Sequence, residues 1–141
     1  MTKQPLPIIS KEVRAFLISA AREAAAHAHC PYSHYPVGAA VLTADGQIYT
    51  GCNVENISYG LSTCAERTAL VKAVSAGCRD FVALAIAGGE QKGAAPCGAC
   101  RQVLAEFCAP GLPVFIARRQ RGTEKTTSLG ALLPMSFASL K

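Results

Sequence analysis

Residues 81–117 read FVALAIAGGEQKGAAPCGACRQVLAEFCAPGLPVFIA and set out a strand, a helix and a second strand. Phe81 to Ala87 is a nearly continuous apolar run, as expected for a central strand that is covered on both faces. A helix is predicted to start near Cys97 and to end before Pro110, and Val114 to Ala117 gives the next strand. Strand-helix-strand units of this kind join parallel neighbours by right-handed crossovers. The stretch therefore predicts an α/β fold.

A first helix is predicted upstream, from an N-cap at Ser10 to about Ala28, before Pro31 stops it. Its apolar residues recur at the spacing of one helical stripe, and they are Val13, Phe16, Leu17, Ala20, Ala21 and Ala24. This face of the helix is expected to pack against the rest of the fold.

Three further strands and one more helix complete the pattern. Val37 to Thr43 and Ile48 to Val54 are strand-like runs around Asp45-Gly46, a dipeptide that favours tight turns, and they are expected to pair antiparallel. Cys64 to Ala76 predicts a second long helix. Lys125 to Ser128 is expected to return antiparallel as a fifth strand after a hairpin.

The composition is that of one globular domain, which we expect to span residues 1–141. Half of the 141 residues are apolar and only 16% are charged, so the chain can bury a single core. The start of the chain has no signal-peptide pattern, and no apolar run approaches the length of a membrane span. Together with an odd number of cysteines, seven, this predicts a cytoplasmic protein without a membrane partner.

The net charge of +5 is partly concentrated in one predicted turn, at Arg118, Arg119, Arg121 and Lys125. A short basic cluster of this kind is more typical of a solvated hairpin tip than of a nucleic-acid groove. We therefore expect no nucleic-acid partner.

Four of the seven cysteines lie beside apolar residues, and we expect them to be small buried hydrophobic side chains: Cys30, Cys52, Cys78 and Cys108. The other three have the spacing of metal ligands. Cys97 and Cys100 would project from one face of a helical first turn, and Cys64 would begin the neighbouring helix. Helix N-termini stabilise thiolates, which favours metal binding.

Three cysteine ligands without a fourth are typical of a catalytic zinc site, in which water takes the open position. Two alternatives compete with this interpretation. One is a redox-active Cys-x-x-Cys pair, which the distant Cys64 and the arginine after Cys100 disfavour. The other is a non-enzymatic zinc module, which requires four protein ligands.

Charged residues beside these cysteines point to hydrolytic chemistry. Glu66 lies two residues from Cys64 and is the candidate general acid and base, although a glutamate is also favoured in any first helical turn. Three thiolates outweigh the charge of a divalent ion and would reduce its ability to acidify water. Arg67 and Arg101 are expected to donate hydrogen bonds to the sulfurs and offset that excess.

Several blocks of the chain resemble the zinc-dependent deaminases, and in particular the small homotetrameric cytidine deaminases. Cys64-Ala65-Glu66 followed by Pro96-Cys97-x-x-Cys100 matches the deaminase signature. The resemblance covers roughly residues 10 to 137 and includes five longer blocks: 33–40 (SHYPVGAA), 51–56 (GCNVEN), 64–69 (CAERTA), 96–103 (PCGACRQV) and 132–137 (LLPMSF). It implies a three-layer α/β/α fold with a five-stranded mixed sheet.

The resemblance also implies the reaction. It predicts hydrolysis of cytidine and 2'-deoxycytidine to uridine and 2'-deoxyuridine, with release of ammonia, in pyrimidine salvage. It further implies one Zn²⁺ per chain on Cys64, Cys97 and Cys100, and proton transfer by Glu66.

Contacts with a nucleoside substrate follow by the same resemblance. Asn53 and Glu55 match a pair that holds the ribose hydroxyls, while the backbone of Ala65 and the side chain of Glu66 would recognise the pyrimidine edge. The sugar-binding pair disfavours the related deaminases that act on an antibiotic, a nucleotide or a nucleic acid.

Four aromatic residues complete the expectations. Tyr35 stands where the family usually has a Phe against the base, and its extra hydroxyl needs a partner if it is buried. Phe137 matches an aromatic residue that the family inserts into a neighbouring subunit's site. Tyr32 and Tyr59 are expected near subunit contacts.

Overall fold

The computed structural model describes residues 6–122 and 124–140 and contains one five-stranded sheet. Its strands are β1 (Val37–Thr43), β2 (Ile48–Cys52), β3 (Phe81–Gly88), β4 (Pro113–Ala117) and β5 (Glu124–Ser128). Its α-helices are α1 (Lys11–Ala25), α2 (Ala65–Ser75), α3 (Gly98–Phe107) and α4 (Leu129–Leu132), and a 3₁₀ turn spans Tyr59–Leu61. No helix among these residues is long and apolar enough to cross a membrane.

The strand order is β2-β1-β3-β4-β5, and the sheet is mixed. β3 and β4 are parallel neighbours joined through α3, which confirms the expectation for residues 81–117. The α2 connection differs, because β2 and β3 both run antiparallel to β1 and lie on either side of it. That crossover therefore joins parallel strands that are not neighbours. The β4–β5 pair is antiparallel, as predicted.

Helices cover both faces of this sheet, so the three-layer fold is confirmed. Alternate residues of β3 point to opposite layers. Leu84 and Ile86 belong to a core with α2 and α3, whereas Ala83 and Ala85 pack with α1. The small residues on the α1 side let the helix lie close to the strands. At Gly38 of β1, an added Cβ would run into the backbone of α1.

The apolar stripe of α1 is rotated from its predicted position. The Ser10 cap is confirmed, since its Oγ accepts a hydrogen bond from the Val13 amide at 3.2 Å. However, Val13 and Phe16 are 37% and 64% exposed, so their expected burial is wrong. Because α1 packs most closely where its backbone meets Gly38, the residues that contact the sheet lie on a neighbouring stripe of the helix. The buried residues of α1 are Leu17, Ile18, Ala21, Ala24 and Ala25.

Two element ends and three cysteines also differ from expectation. α1 ends at Ala25 rather than Ala28, and β2 ends at Cys52 rather than Val54. Both elements end before the residues His29 and Val54, which pair with each other in an isolated β-bridge. Of the four cysteines expected in the core, only Cys108 is buried. The other three are half-buried: Cys52 is the last residue of β2, and Cys30 and Cys78 lie in the segments that follow α1 and α2.

Candidate active site

Three cysteine sulfurs meet between the N-termini of α2 and α3. Cys64 is the N-cap residue of α2, Cys97 is the N-cap residue of α3, and Cys100 follows in the first turn of α3. The Sγ atoms of Cys64 and Cys97 lie 3.7 Å apart, and those of Cys97 and Cys100 lie 3.5 Å apart. All three sulfurs fall within 4.8 Å of one another. The predicted ligand set is therefore gathered at one point.

This spacing fits one zinc ion. Two sulfurs bonded at about 2.3 Å to a tetrahedral ion lie about 3.8 Å apart, close to the separations observed here. Among residues 6–122 and 124–140, the metal-ligating group consists of these three cysteines and no fourth side chain. A donor set of this kind leaves one position open, which does not fit the closed four-ligand module.

The sulfurs do not titrate alike. Hydrogen bonds from Cys100, Arg67 and Cys97 together lower the pKa of Cys64 to about 5, with Cys100 contributing most. The hydrogen bond between Cys64 and Cys100, together with burial, raises the pKa of Cys100. The pair therefore holds a thiolate on Cys64 and a proton on Cys100 near neutral pH. A metal ion that displaces this proton gains a further anionic ligand.

The two arginines beside the cysteines have different partners. Arg67 donates from Nη2 to the Sγ of Cys64 at 3.6 Å and to the Ser62 carbonyl at 3.4 Å, so it contacts the sulfur cluster as expected. Arg101 instead donates from Nε to the Pro96 carbonyl and from Nη1 to the Leu132 carbonyl, both at 2.7 Å. Its hydrogen bonds thus tie the loop before α3 to the C-terminal segment rather than to a sulfur.

Glu66 is buried beside the cluster. It lies in the first turn of α2 with only 4% of its surface exposed, and burial raises the pKa of its carboxyl group. A raised pKa favours the protonated form, so the carboxyl group can donate a proton as well as accept one. The geometry therefore leaves Glu66 as the ionisable group best suited to move a proton at this site.

A cavity of about 330 Å³ connects the cluster to the predicted substrate contacts. Glu66 and two of the cysteines line it together with the pair Asn53 and Glu55, and Tyr35 and Ala65 contribute to its walls. The remaining lining residues are Ser33, Val37, Ala94 and Ala95. Ser33 and Glu55 also line a neighbouring cavity that no cysteine reaches, so they mark the side away from the sulfurs.

Backbone contacts fix the two polar side chains on that side. Asn53 accepts from the Val37 amide at 2.8 Å and donates to the Tyr35 carbonyl at 2.9 Å. Glu55 Oε1 accepts from the amides of Tyr32 and Ser33 at 3.0 and 3.1 Å. Hydrogen bonds from Ser33 and Tyr32 lower the pKa of Glu55, which is therefore a carboxylate at neutral pH.

Three aromatic residues lie outside this cavity. Phe137 is 68% exposed, and its carbonyl accepts a hydrogen bond from Gln102 Nε2 at 2.8 Å. The rings of Tyr32 and Tyr59 are 5.7 Å apart and line the neighbouring cavity. Within one chain, Phe137 therefore does not contribute to its own site.

Sequence reasoning missed Ser33, Val37, Ala94 and Ala95 as lining residues. Ser33 and Val37 fall inside the block that contains Tyr35, so that block was the available signal. Ala94 and Ala95 are small residues in a loop without periodicity. Only their position directly before Pro96 and Cys97 places them beside the site.

Comparisons with known proteins agree on one family. Residues 11–116 match the model described as the cytidine and deoxycytidylate deaminase zinc-binding region. A cytidine deaminase of Sporosarcina psychrophila is 49% identical over 122 residues, which cover 86% of this chain and 89% of that protein. One from Halalkalibacterium halodurans is 46% identical over 126 residues, covering 89% and 95%.

Solved structures give the same result. The crystal structure of cytidine deaminase from Burkholderia pseudomallei has a TM-score of 0.84 and 50% identity, covering 87% of this chain and 98% of that one. The cytidine deaminase from Mycobacterium tuberculosis has a TM-score of 0.77 and 42% identity, covering 88% and 96%.

Proposed function

We propose that the cavity beside Cys64, Cys97 and Cys100 is the active site. The chain belongs to the cytidine and deoxycytidylate deaminase family and catalyses the zinc-dependent hydrolytic deamination of cytidine. One observation carries this assignment. A single cavity of about 330 Å³ joins two of these cysteines, the buried Glu66 and the polar pair Asn53 and Glu55. Metal ligands, an acid/base group and sugar-binding groups are thus available to one small molecule.

The three cysteines are proposed to hold one zinc ion per chain. Their separations of 3.5 and 3.7 Å and the low pKa of Cys64, about 5, support this ligand set. When bound in an open site of this kind, zinc lowers the pKa of water at the fourth position toward about 7. Arg67, which donates to Cys64, reduces the excess negative charge of the thiolates.

Glu66 is proposed to move the protons. Its carboxylate accepts a proton from the attacking water as the water oxygen bonds to C4 of the cytosine ring. The protonated carboxyl gives this proton to N3, then takes the second water proton from the new hydroxyl group on C4 and passes it to the departing amine. The C4–N bond breaks, ammonia leaves, and the water oxygen becomes the O4 carbonyl of uridine, so cytidine and water are fully accounted for.

The other lining residues are proposed to orient a nucleoside. Asn53 and Glu55 would hold the ribose hydroxyls, the backbone of Ala65 and the carboxyl of Glu66 would recognise the pyrimidine edge, and Tyr35 would lie against the base. None of the residues that line this cavity is Lys or Arg. Since Glu55 carries a negative charge at neutral pH, it would repel a phosphate group. Both points support cytidine and deoxycytidine over nucleotides and nucleic acids.

The active form is proposed to be a homotetramer with shared sites. Phe137 is 68% exposed, and its neighbours in the C-terminal segment, Met135 and Leu140, are 102% and 93% exposed. Near the cavity, Tyr59 and Leu61 are 74% and 70% exposed. Apolar surface on this scale favours association, and Phe137 would then reach the site of a neighbouring subunit. The seven cysteines form no disulfide in residues 6–122 and 124–140, which supports a reducing, cytoplasmic setting, where the reaction would serve pyrimidine salvage.

Ammonia release and uridine formation from cytidine test the function directly. We expect turnover of cytidine and deoxycytidine, weak or no turnover of cytidine monophosphate and of a cytosine-containing single-stranded oligonucleotide, and loss of activity on zinc chelation. Turnover of the oligonucleotide or the monophosphate at rates equal to cytidine would contradict the nucleoside assignment.

A further inference from the structure

We propose that Gly89 is a positioning residue of this site, because its missing side chain leaves the space that the hydroxyl of Tyr35 occupies. The inference rests on the proposed function of the cavity that Tyr35 lines. It links the tyrosine that departs from the family's usual phenylalanine to a glycine outside every recognised sequence block.

The two residues touch at the edge of the cavity. A Cβ added to Gly89 would meet two oxygens far inside van der Waals contact: the Lys92 carbonyl oxygen, which is the nearer, and the Tyr35 Oη, at 2.5 Å. The same Cβ would lie 3.5 Å from Cζ of Tyr35, an ordinary contact. A phenylalanine ring at position 35 would therefore fit beside this Cβ, whereas the tyrosine hydroxyl would clash with it.

The turn that carries Gly89 has little freedom to yield. The Gly89 carbonyl accepts a hydrogen bond from the Arg119 amide at 2.8 Å, which ties the turn to the end of β4. The preceding residue, Gly88, pairs with Val37 in the antiparallel β1–β3 ladder, and Val37 lines the cavity. The clash with the Lys92 carbonyl is the same whether residue 35 is Tyr or Phe, whereas the clash with Oη is relieved by movement of the tyrosine ring or by loss of its hydroxyl.

Movement of Tyr35 would reach the groups assigned to the substrate. Its amide donates to the Ser33 Oγ at 3.0 Å, and its carbonyl accepts from Asn53 Nδ2 at 2.9 Å. The backbone of Tyr35 thus anchors one sugar-binding side chain, and its ring forms the wall beside the base. An aromatic wall acts on bound substrate and transition state alike, so its displacement raises KM and leaves kcat nearly unchanged.

A double-substitution cycle tests the contact: Gly89→Ala, Tyr35→Phe and both together, each with cytidine kinetics and zinc content. We expect Gly89→Ala to raise KM about tenfold in the parent and less than about threefold in the Tyr35→Phe background, with kcat changed less than about threefold. Gly46→Ala is the control, because Gly46 has a comparable positive φ of 89° against 79° at Gly89, yet an added Cβ there meets nothing within 4 Å. It should lose stability without a change in KM.

An equal rise in KM in both backgrounds would overturn the proposal, as would a loss confined to kcat. If Gly89→Ala gives no folded protein, recovery of folded, zinc-loaded protein in the double variant supports the hydroxyl clash. Failure of both to fold overturns it, since the Lys92 contact would then dominate. A parent that does not deaminate cytidine would reject the proposed function instead, and the contact would still be read from non-additive melting temperatures.

Discussion

Cys64 and Cys97 are 33 residues apart in the chain, and both serve as N-cap residues with their Sγ atoms 3.7 Å apart. Neither side chain makes a capping hydrogen bond to its own helix. The positive ends of α2 and α3 therefore converge on the sulfurs, which stabilises thiolates there. The packing of α2 beside α3 on one face of the sheet creates this convergence, so the fold itself assembles the proposed metal site.

Replacement of Cys97 by alanine is expected to release the zinc. Two sulfurs cannot hold the ion as three do, and metal affinity contributes to folding, so the variant should also melt at a lower temperature. Elemental analysis should give about one zinc per chain for the parent and less than about a tenth of that for Cys97→Ala. Cys30→Ala, which removes a half-buried thiol outside the cluster, is the control. Full zinc occupancy in Cys97→Ala would reject the ligand assignment.

Much of the fold could be predicted because its signals are local. The apolar run of β3, the Asp45-Gly46 turn and the Ser10 cap each depend on neighbouring residues only. The α1 stripe was misplaced because its orientation depends on a close approach to Gly38, a residue of a different element. Spacing within one helix carries no information about such a contact.

The residues of the site also differ in whether they could be predicted from local signals or depend on tertiary contacts. Cys64, Glu66 and the Cys97–Cys100 pair carry their chemistry in residue type and spacing. The hydrogen bonds of Arg101 to Pro96 and Leu132 depend on where the C-terminal segment packs. Ala94 and Ala95 line the cavity only because their loop is folded against it. Tertiary contacts of this kind leave no periodic trace in the sequence.

Glu66→Gln is expected to keep the fold and the zinc but to lose turnover. The amide can hydrogen-bond a ligand yet cannot accept a proton from water. A positioned acid/base group contributes about 10²- to 10⁴-fold, so kcat should fall by at least about a hundredfold. Cytidine kinetics and elemental analysis on the same preparation measure both quantities. Deamination within about tenfold of the parent would remove Glu66 from this role.

Glu55 should make folding stability depend on pH in a defined direction. Its pKa in the folded protein is lowered from the ordinary value of 4.5 by hydrogen bonds from Ser33 and Tyr32. The stabilisation is therefore fully present above about pH 4.5 and is lost as the pH falls through the lower folded-state pKa. Glu55→Gln keeps an oxygen acceptor but removes the charge. Its unfolding free energy should lie below that of the parent at neutral pH, and the difference should shrink in acid.

Urea unfolding of both proteins at about pH 7, 5 and 3.5 measures this difference. Glu106→Gln, which removes an exposed carboxylate of α3, is the control and should show no such trend. A Glu55→Gln difference that grows as the pH falls would contradict the assigned direction. Cytidine kinetics on the same variant should show a raised KM, because Glu55 is proposed to hold the ribose.

Phe137→Ala is expected to raise KM for cytidine or to weaken assembly while leaving zinc content unchanged. Phe137 is 68% exposed and does not line the cavity of its own chain, so a role in catalysis requires a neighbouring subunit. In that subunit the ring would act by packing, and the loss of an aromatic packing contact is worth about 0.5–1.5 kcal/mol, or roughly two- to twelvefold in KM. Phe16→Ala is a matched control, since Phe16 is 64% exposed on α1. Light scattering coupled to size-exclusion chromatography gives the mass of each variant beside its kinetics. A fully active monomeric parent, or a Phe137→Ala variant with parental mass and parental KM, would show that the site is complete within one chain.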